Sequence, residues 1–402
     1  MSTHHANERR DFLKQATFLG AGLMAGTSAL ALEPRPAPKI HNAFPFFGQH
    51  QQGIATPAQK HIYFMVLDLH TQELAPIQQM FKTWTHYAAQ LTSGKNVKEY
   101  SKNAYVPPAD TGEADGLNPY NLTLTFGVSS SFFDKLQLNQ YKPKELADLP
   151  HFPRDQLQAN YTGGDICIQA CADDPQVAFH AVRNLVRVAR SHITMKWSQM
   201  GFNSFEGSDT PRNLFGFKDG TANSTKQEDL DATVWVDSPD WLRGGSYLAV
   251  RRIKTFLETW DRTNLFSQEE TFGRHRDTGA PIGSHKEFDP VDIHKKNDKG
   301  EPLIPEPSHV HLAKKAGVPI LRRSFSYASG VDDKGQFDAG LLFISFQKDP
   351  AQFIKIQNTF GNIDKLNEYI THIGSGLFAC FAGVKDEQDY LGRALFEAVQ
   401  AG

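Results

Sequence analysis

Only three cysteines occur in this 402-residue chain, at positions 167, 171 and 380. An odd count without regular spacing excludes a disulfide framework. Cys167 and Cys171 stand four apart in a run that reads as a strand, which separates them by about 13 Å, beyond disulfide reach. All three are expected to be small buried apolar residues. A surplus of either charge is also missing, since 42 Lys and Arg against 45 Asp and Glu leave −3. With no basic stripe to neutralise phosphates, nucleic acid is excluded as the main partner. Long apolar runs are scarce too. The best candidate, residues 16–32, is broken by Gly20, Gly22 and Gly26, and an apolar stretch of about 16 residues is short for a membrane span.

What the chain does have is apolar material for a large core: 40% hydrophobic residues, including 29 Phe. That supply points to a globular body of enzyme size, as one large domain or two ordinary ones. The N-terminus reads differently. Arg9-Arg10 and Phe12-Leu13-Lys14 precede the mild apolar run, which ends at Ala29-Leu30-Ala31, a small-x-small cleavage site. This resembles a twin-arginine export signal, a route that carries folded proteins and often those that load a cofactor first. Residues 1–31 are therefore expected to be a signal peptide. Residues 32–54, with Pro34, Pro36 and Pro38, form a stiff linker and N-terminal arm.

Beyond it, apolar strands alternate with amphipathic helices. Strands are expected at 62–69, 122–128 and 166–170, with a helix at 73–91 and another opened by Asp174-Pro175 and running to Arg190. The second half repeats the plan, with strands at 246–252 and 341–346, a helix ending near Trp260, and another opened by Asp349-Pro350. Proline at the first helical turn loses no hydrogen bond, so both Asp-Pro pairs mark helix starts. The fold expected is α+β: two ferredoxin-like halves, antiparallel sheets with flanking helices, at 55–210 and 211–402.

Four constellations carry chemistry. In Gly216-Phe217-Lys218-Asp219-Gly220, two glycines bracket a carboxylate beside aromatics. Such a loop either lets backbone approach a ligand in a dry pocket, or is a turn that Asp219 caps. In Ser308-His309-Val310-His311, two histidines on an extended segment would face opposite sides, so one could face inward alone. In Leu321-Arg322-Arg323-Ser324, alternation sends one arginine to each face, into a pocket or along a protected edge. Last, Glu368 precedes a glycine-broken apolar strand at 374–378.

In this order, with Gly273-Arg274-His275-Arg276-Asp277-Thr278-Gly279-Ala280-Pro281 and Asp338-Ala339-Gly340-Leu341-Leu342-Phe343, the set resembles the dye-decolorizing peroxidases over residues 45–395. With the twin-arginine start it is similar to the exported, EfeB-like subgroup linked to iron uptake. The resemblance implies one b-type haem in the C-terminal half, and the lack of Cys-x-x-Cys-His implies that it is held non-covalently. It implies His309 as proximal iron ligand and Glu368 as the carboxylate that holds its imidazole. Asp219 becomes the distal acid-base and Arg322 the distal arginine, with Arg322 rather than Arg323 facing the haem. Arg274, Arg276 and His275 become candidates for the haem propionates, and Phe343 for the pocket wall. Hydrogen peroxide and a bulky organic donor such as a dye are the implied substrates, a homodimer and iron-uptake components the implied partners, and the periplasm or the exterior the implied location. The alternative is a haem- or iron-handling protein whose peroxidase activity is incidental. Replacing Arg9 and Arg10 together with Lys should trap uncleaved precursor in the cytoplasm; normal cleavage and export, followed by immunoblot of cell fractions, would refute the twin-arginine route.

Overall fold

The computed structural model describes residues 43–206, 210–218 and 223–402. The export signal expected at residues 1–31, with Arg9 and Arg10, lies outside them. In chain order the N-terminal half runs β1 (His61–Leu69), α1 (Leu74–Thr92), β2 (Thr123–Val128), α2 (Ser130–Lys135), β3 (Ile166–Ala172), α3 (Pro175–Ala189) and β4 (Ile193–Phe202). After α4 (Gln227–Thr233) come β5 (Ser246–Thr255), α5 (Leu257–Trp260), α6 (Leu265–Phe272), α7 (His309–Ala316) and β6 (Leu321–Arg322). The chain ends with β7 (Phe325–Val331), β8 (Phe337–Gln347), α8 (Pro350–Phe360), β9 (Ile370–Cys380) and α9 (Arg393–Ala401).

The repeated plan is real. In the first half β1 lies between β3 and β4, and β3 pairs with β2. In the second, β5 lies between β8 and β9, and β8 pairs with β7. Both sheets are antiparallel with the same strand order, as two ferredoxin-like α+β halves require. The Asp-Pro openings also match. Asp174 accepts hydrogen bonds from the backbone of Gln176 and Val177, and Asp349 forms a capping box with Gln352, so each helix start has its orphan N–H groups satisfied.

The sequence did not announce how the halves join. The sheets meet edge to edge on both sides, β2 with β9 at Gly127–Cys380 and Val128–Ala379, and β4 with β7 at Phe202–Ser326. The strands thereby close into a ring. Period-two alternation sends Phe64, Val66, Val250, Ile344 and Phe378 into its interior, while Leu67, Leu124, Phe126 and Ala249 face the helices outside. At Gly127 the β2–β9 join is close: a Cβ there would lie 3.0 Å from Cys380 Sγ and 3.2 Å from Cys167 Sγ. The three cysteines are free and buried, as expected. Outside, α1 packs through Trp84, which is fully buried and donates its indole N–H to Leu185 O at 2.8 Å.

A loop of the N-terminal half crosses onto the second sheet. Gln156, Gln158 and Gly163 donate backbone N–H groups to His372, Ile373 and Ser375 O, each at 2.9 Å. Beneath it Arg251, buried on β5, bonds Ser375 Oγ at 3.1 Å and forms an ion pair with buried Asp155. The guanidinium also lies over the Phe152 ring, 5.3 Å from its centroid. Removing one partner of a buried pair strands the other charge away from water. Asp155→Ala is therefore expected to lower unfolding stability by about 3–5 kcal/mol in a urea titration; a midpoint equal to that of the native protein would show that Arg251 is not held by this carboxylate.

Candidate active site

The Ser308-His309 segment is helical, not extended. Gly317, at φ 63°, ends α7 in a left-handed cap that any other residue would strain. Side chains two apart on a helix diverge by about 200°, so the two imidazoles still part company. His311 turns inward, with Nδ1 3.3 Å from Ile304 O. His309, at the first position of α7, stays about a third exposed, at 31% of its side chain.

His309 Nδ1 lies 2.7 Å from Asp364 Oδ2. That carboxylate is buried, and its other oxygen accepts the Leu366 N–H at 2.9 Å as the cap of a short 3-10 turn, Lys365–Glu368. The imidazole is thus held by Asp364 and not by Glu368, which sits exposed at the far end of the same turn. The cap geometry explains the difference: it aims the first residue of the turn back at α7 and the last toward solvent. With Nδ1 engaged, Nε2 is the ring nitrogen available to a ligand. The Phe360 ring lies against His309 at 4.6 Å between centroids.

His372 is a second imidazole that sequence reasoning missed. Burial first, then the charges of Arg251 and His309, push its pKa down to about 3, so it stays neutral. Its Nδ1 has no hydrogen-bond partner among the described residues.

The two arginines separate as alternation requires. Arg323 is buried and donates to Thr56 O at 2.6 Å, to Pro57 O at 3.1 Å and to Gln59. Arg322 pairs with Ser345 across β6 and β8. Directly paired residues share a face, which puts the Arg322 side chain on the face of β8 that carries Phe343. Phe343 is half-buried and packs on Phe353 of α8 at 5.8 Å. One helix therefore joins the two groups, Phe353 touching Phe343 and Phe360 touching His309.

Asp219 lies outside the described residues, but the loop that leads to it is well anchored. Phe217 is fully buried and stacks on Phe272 at 4.3 Å; Phe215 packs on Trp260 at 4.7 Å. Arg212 donates to Gly216 O at 2.8 Å and to Arg276 O at 2.6 Å, which ties this loop to the 273–281 segment. There Arg274 donates to Gly279 O and Glu287 O, at 2.7 and 2.9 Å, and His275 Nδ1 lies 3.0 Å from Glu269. Arg276 runs beside Gly216, where a Cβ would come within 3.3 Å of its Nε.

Family models for the Dyp-type peroxidase N-terminal and C-terminal regions match residues 51–203 and 210–385. The chain belongs to the Dyp-type peroxidase family. As such it is a haem-dependent peroxidase, an oxidoreductase that acts on hydrogen peroxide. Among its relatives, a deferrochelatase of Shigella flexneri is 37% identical over 97% of each chain. The deferrochelatase of Escherichia coli K12 is 38% identical over 87% of this chain and 86% of its own. Among solved structures, a DyP-type peroxidase from Streptomyces coelicolor superposes with a TM-score of 0.82 at 34% identity, covering 89% of this chain and 98% of its own. Ferric DtpA from Streptomyces lividans gives 0.81, also at 34% identity and with the same coverage.

In this Dyp-type peroxidase, Asp364→Ala should free the His309 ring to exchange tautomers. The loss is that of a hydrogen bond to a charged group, about 1.5–3 kcal/mol. Nitrogen NMR of the ring in the haem-free protein should show the single Nδ1-protonated form disappear. Glu368→Ala should leave it in place, and the reverse pattern would restore Glu368 to the role.

Proposed function

We propose that this peroxidase holds one haem b without covalent bonds, with His309 as the iron ligand. The His309–Asp364 contact at 2.7 Å carries the reading: a buried carboxylate fixes the tautomer and raises the basicity of Nε2, as metal-bound imidazoles require. The fit extends to the surroundings. Phe360 and Phe343 offer apolar walls, and the three thiols are sealed within the strands, so no cysteine is placed to form a thioether. Haem supplies the redox-active iron when bound, and the chain's own residues do the rest.

Asp219, assigned from its motif, takes the proton from the nearer peroxide oxygen and delivers it to the farther one, so that water can leave. Arg322 offsets the negative charge that develops as the O–O bond breaks. Arg276, with Arg274 and His275 in the same segment, receives the haem propionates, since guanidinium forks suit carboxylates. Electrons come from bulky organic donors such as dyes, which need not enter the pocket. The Arg9-Arg10 signal directs the folded protein to the periplasm or the exterior, where it works as a homodimer beside iron-uptake components.

A second reading rests on the relatives called deferrochelatases, at 37–38% identity: haem would be a source of iron, and peroxide turnover incidental. The purified holo-protein separates the two. With peroxide and a reducing dye it should turn over many times, and Asp219→Asn should slow the peroxide reaction by ~10²–10⁴-fold in stopped flow. Porphyrin freed of its metal, seen by fluorescence, with negligible dye turnover would favour iron handling. His309→Ala should purify with little Soret absorbance; native haem content in that variant would move the ligand role elsewhere.

A further inference from the structure

β6 is a two-residue strand at the end of the sheet. One of its edges pairs with β8, where Arg322 stands opposite Ser345 and Arg323 donates its N–H to Ile344 O at 2.8 Å. On a strand the N–H and C=O of one residue point to the same side, and those of its neighbour to the other. The Arg322 peptide groups therefore point away from β8, to the side where a further strand would lie. In its place stands one side chain. Asn223 Nδ2 donates to Arg322 O at 2.7 Å, and Asn223 Oδ1 accepts the Arg322 N–H at 3.0 Å. A carboxamide carries a donor and an acceptor in one plane, as a peptide group does. Asn223 thus completes the ladder that the fold leaves unfinished.

We infer that Asn223 is a positioning residue for Arg322, whose backbone it holds through these two hydrogen bonds. Asn223 follows Asp219 by four residues, so its two bonds join the chain that carries the proton shuttle to the backbone that carries the guanidinium. The segment is held from both edges, by β8 through the Arg323 N–H on one side and by Asn223 through Arg322 on the other. Arg323, the next residue, is pinned through its own side chain to Thr56, Pro57 and Gln59. Both backbone hydrogen-bonding groups of Arg322 are taken up by Asn223. Aspartate could not replace Asn223, because a second carboxylate oxygen would face the Arg322 carbonyl where a donor is needed.

The inference rests on the role given to Arg322 above, and the test separates the two. Holo-proteins carrying Asn223→Ala, Asn223→Asp, Arg322→Leu and the double change Asn223→Ala/Arg322→Leu are compared with wild type. Three quantities are measured: haem content with thermal midpoint, the stopped-flow rate with peroxide, and the fluoride affinity of the ferric protein by Soret titration. Fluoride bound at the iron reports whether a donor on Arg322 reaches the ligand, independently of turnover. Arg322→Leu should slow the peroxide reaction ~10²–10³-fold. Both Asn223 variants should slow it about tenfold and weaken fluoride by a similar factor, Ala by losing both hydrogen bonds and Asp by losing one and setting oxygen against the Arg322 carbonyl. Haem content should stay at the wild-type value and the midpoint should fall by no more than a few degrees, whereas a merely structural residue would lower both without a selective loss of fluoride affinity. The double variant should match Arg322→Leu, because Asn223 acts only through it. Wild-type rate and fluoride affinity in both Asn223 variants, with Arg322→Leu slow, would overturn the positioning role alone. Losses that multiply in the double variant would overturn it too. A wild-type rate in Arg322→Leu would remove the function given to Arg322, and the positioning role with it.

Discussion

Strand edges carry unpaired N–H and C=O groups that must find partners, and this requirement shapes the protein more than any single contact. Each four-stranded sheet alone would expose two edges. Here the sheets take each other's edges through short joins, β2 against β9 and β4 against β7. At Gly127 the approach tolerates no side chain, since two sulfurs and the Phe378 Cβ already fill the space. The loop at 155–163 covers more of the β9 edge with backbone bonds of its own. Edge satisfaction thus binds the halves together with a shared apolar core, in which Phe81 of α1 packs on Phe381 and on Phe396 of α9.

The site inherits its geometry from this closure. With the ring interior filled, β8 has one face left for chemistry, the outer one, where Phe343 stands and Arg322 is carried in from β6. Helix α8 then sets the distance between that face and His309, through Phe353 at one end and Phe360 at the other. The capped turn at Asp364 orients the imidazole. A strand, an edge and two helices each fix one group, and rigid elements fix groups better than loops do.

Much of this was legible in the sequence. The Asp-Pro pairs at 174–175 and 349–350 marked equivalent helices, because capping and proline chemistry are local. The order of motifs around Asp219, His309 and Arg322 pointed to the family, and alternation parted the two arginines. What escaped was set by distant partners. The segment at His309 was read as extended, since Pro305 and Pro307 mask the start of a helix that only eight residues and a glycine stop define. Asp364 looked like any polar residue in a turn, and four positions separate it from the carboxylate expected on family grounds. His372 lies within a run of β-forming residues and becomes notable only once Arg251 and His309 surround it. Ring closure is invisible locally, for Gly127, Cys380, Phe202 and Ser326 carry no signal of their own.

The sealed thiols have a chemical consequence. Cys167, Cys171 and Cys380 lie within the ring, and burial pushes the Cys167 and Cys171 thiols up, so that the thiolate is suppressed. Peroxide attacks thiolates, not thiols, and only those it can reach. A protein whose substrate is a strong oxidant thus keeps its thiols walled in by strands. Sulfenic acid should accumulate only in molecules that have already unfolded, which makes thiol oxidation a record of lost structure and not of catalytic wear.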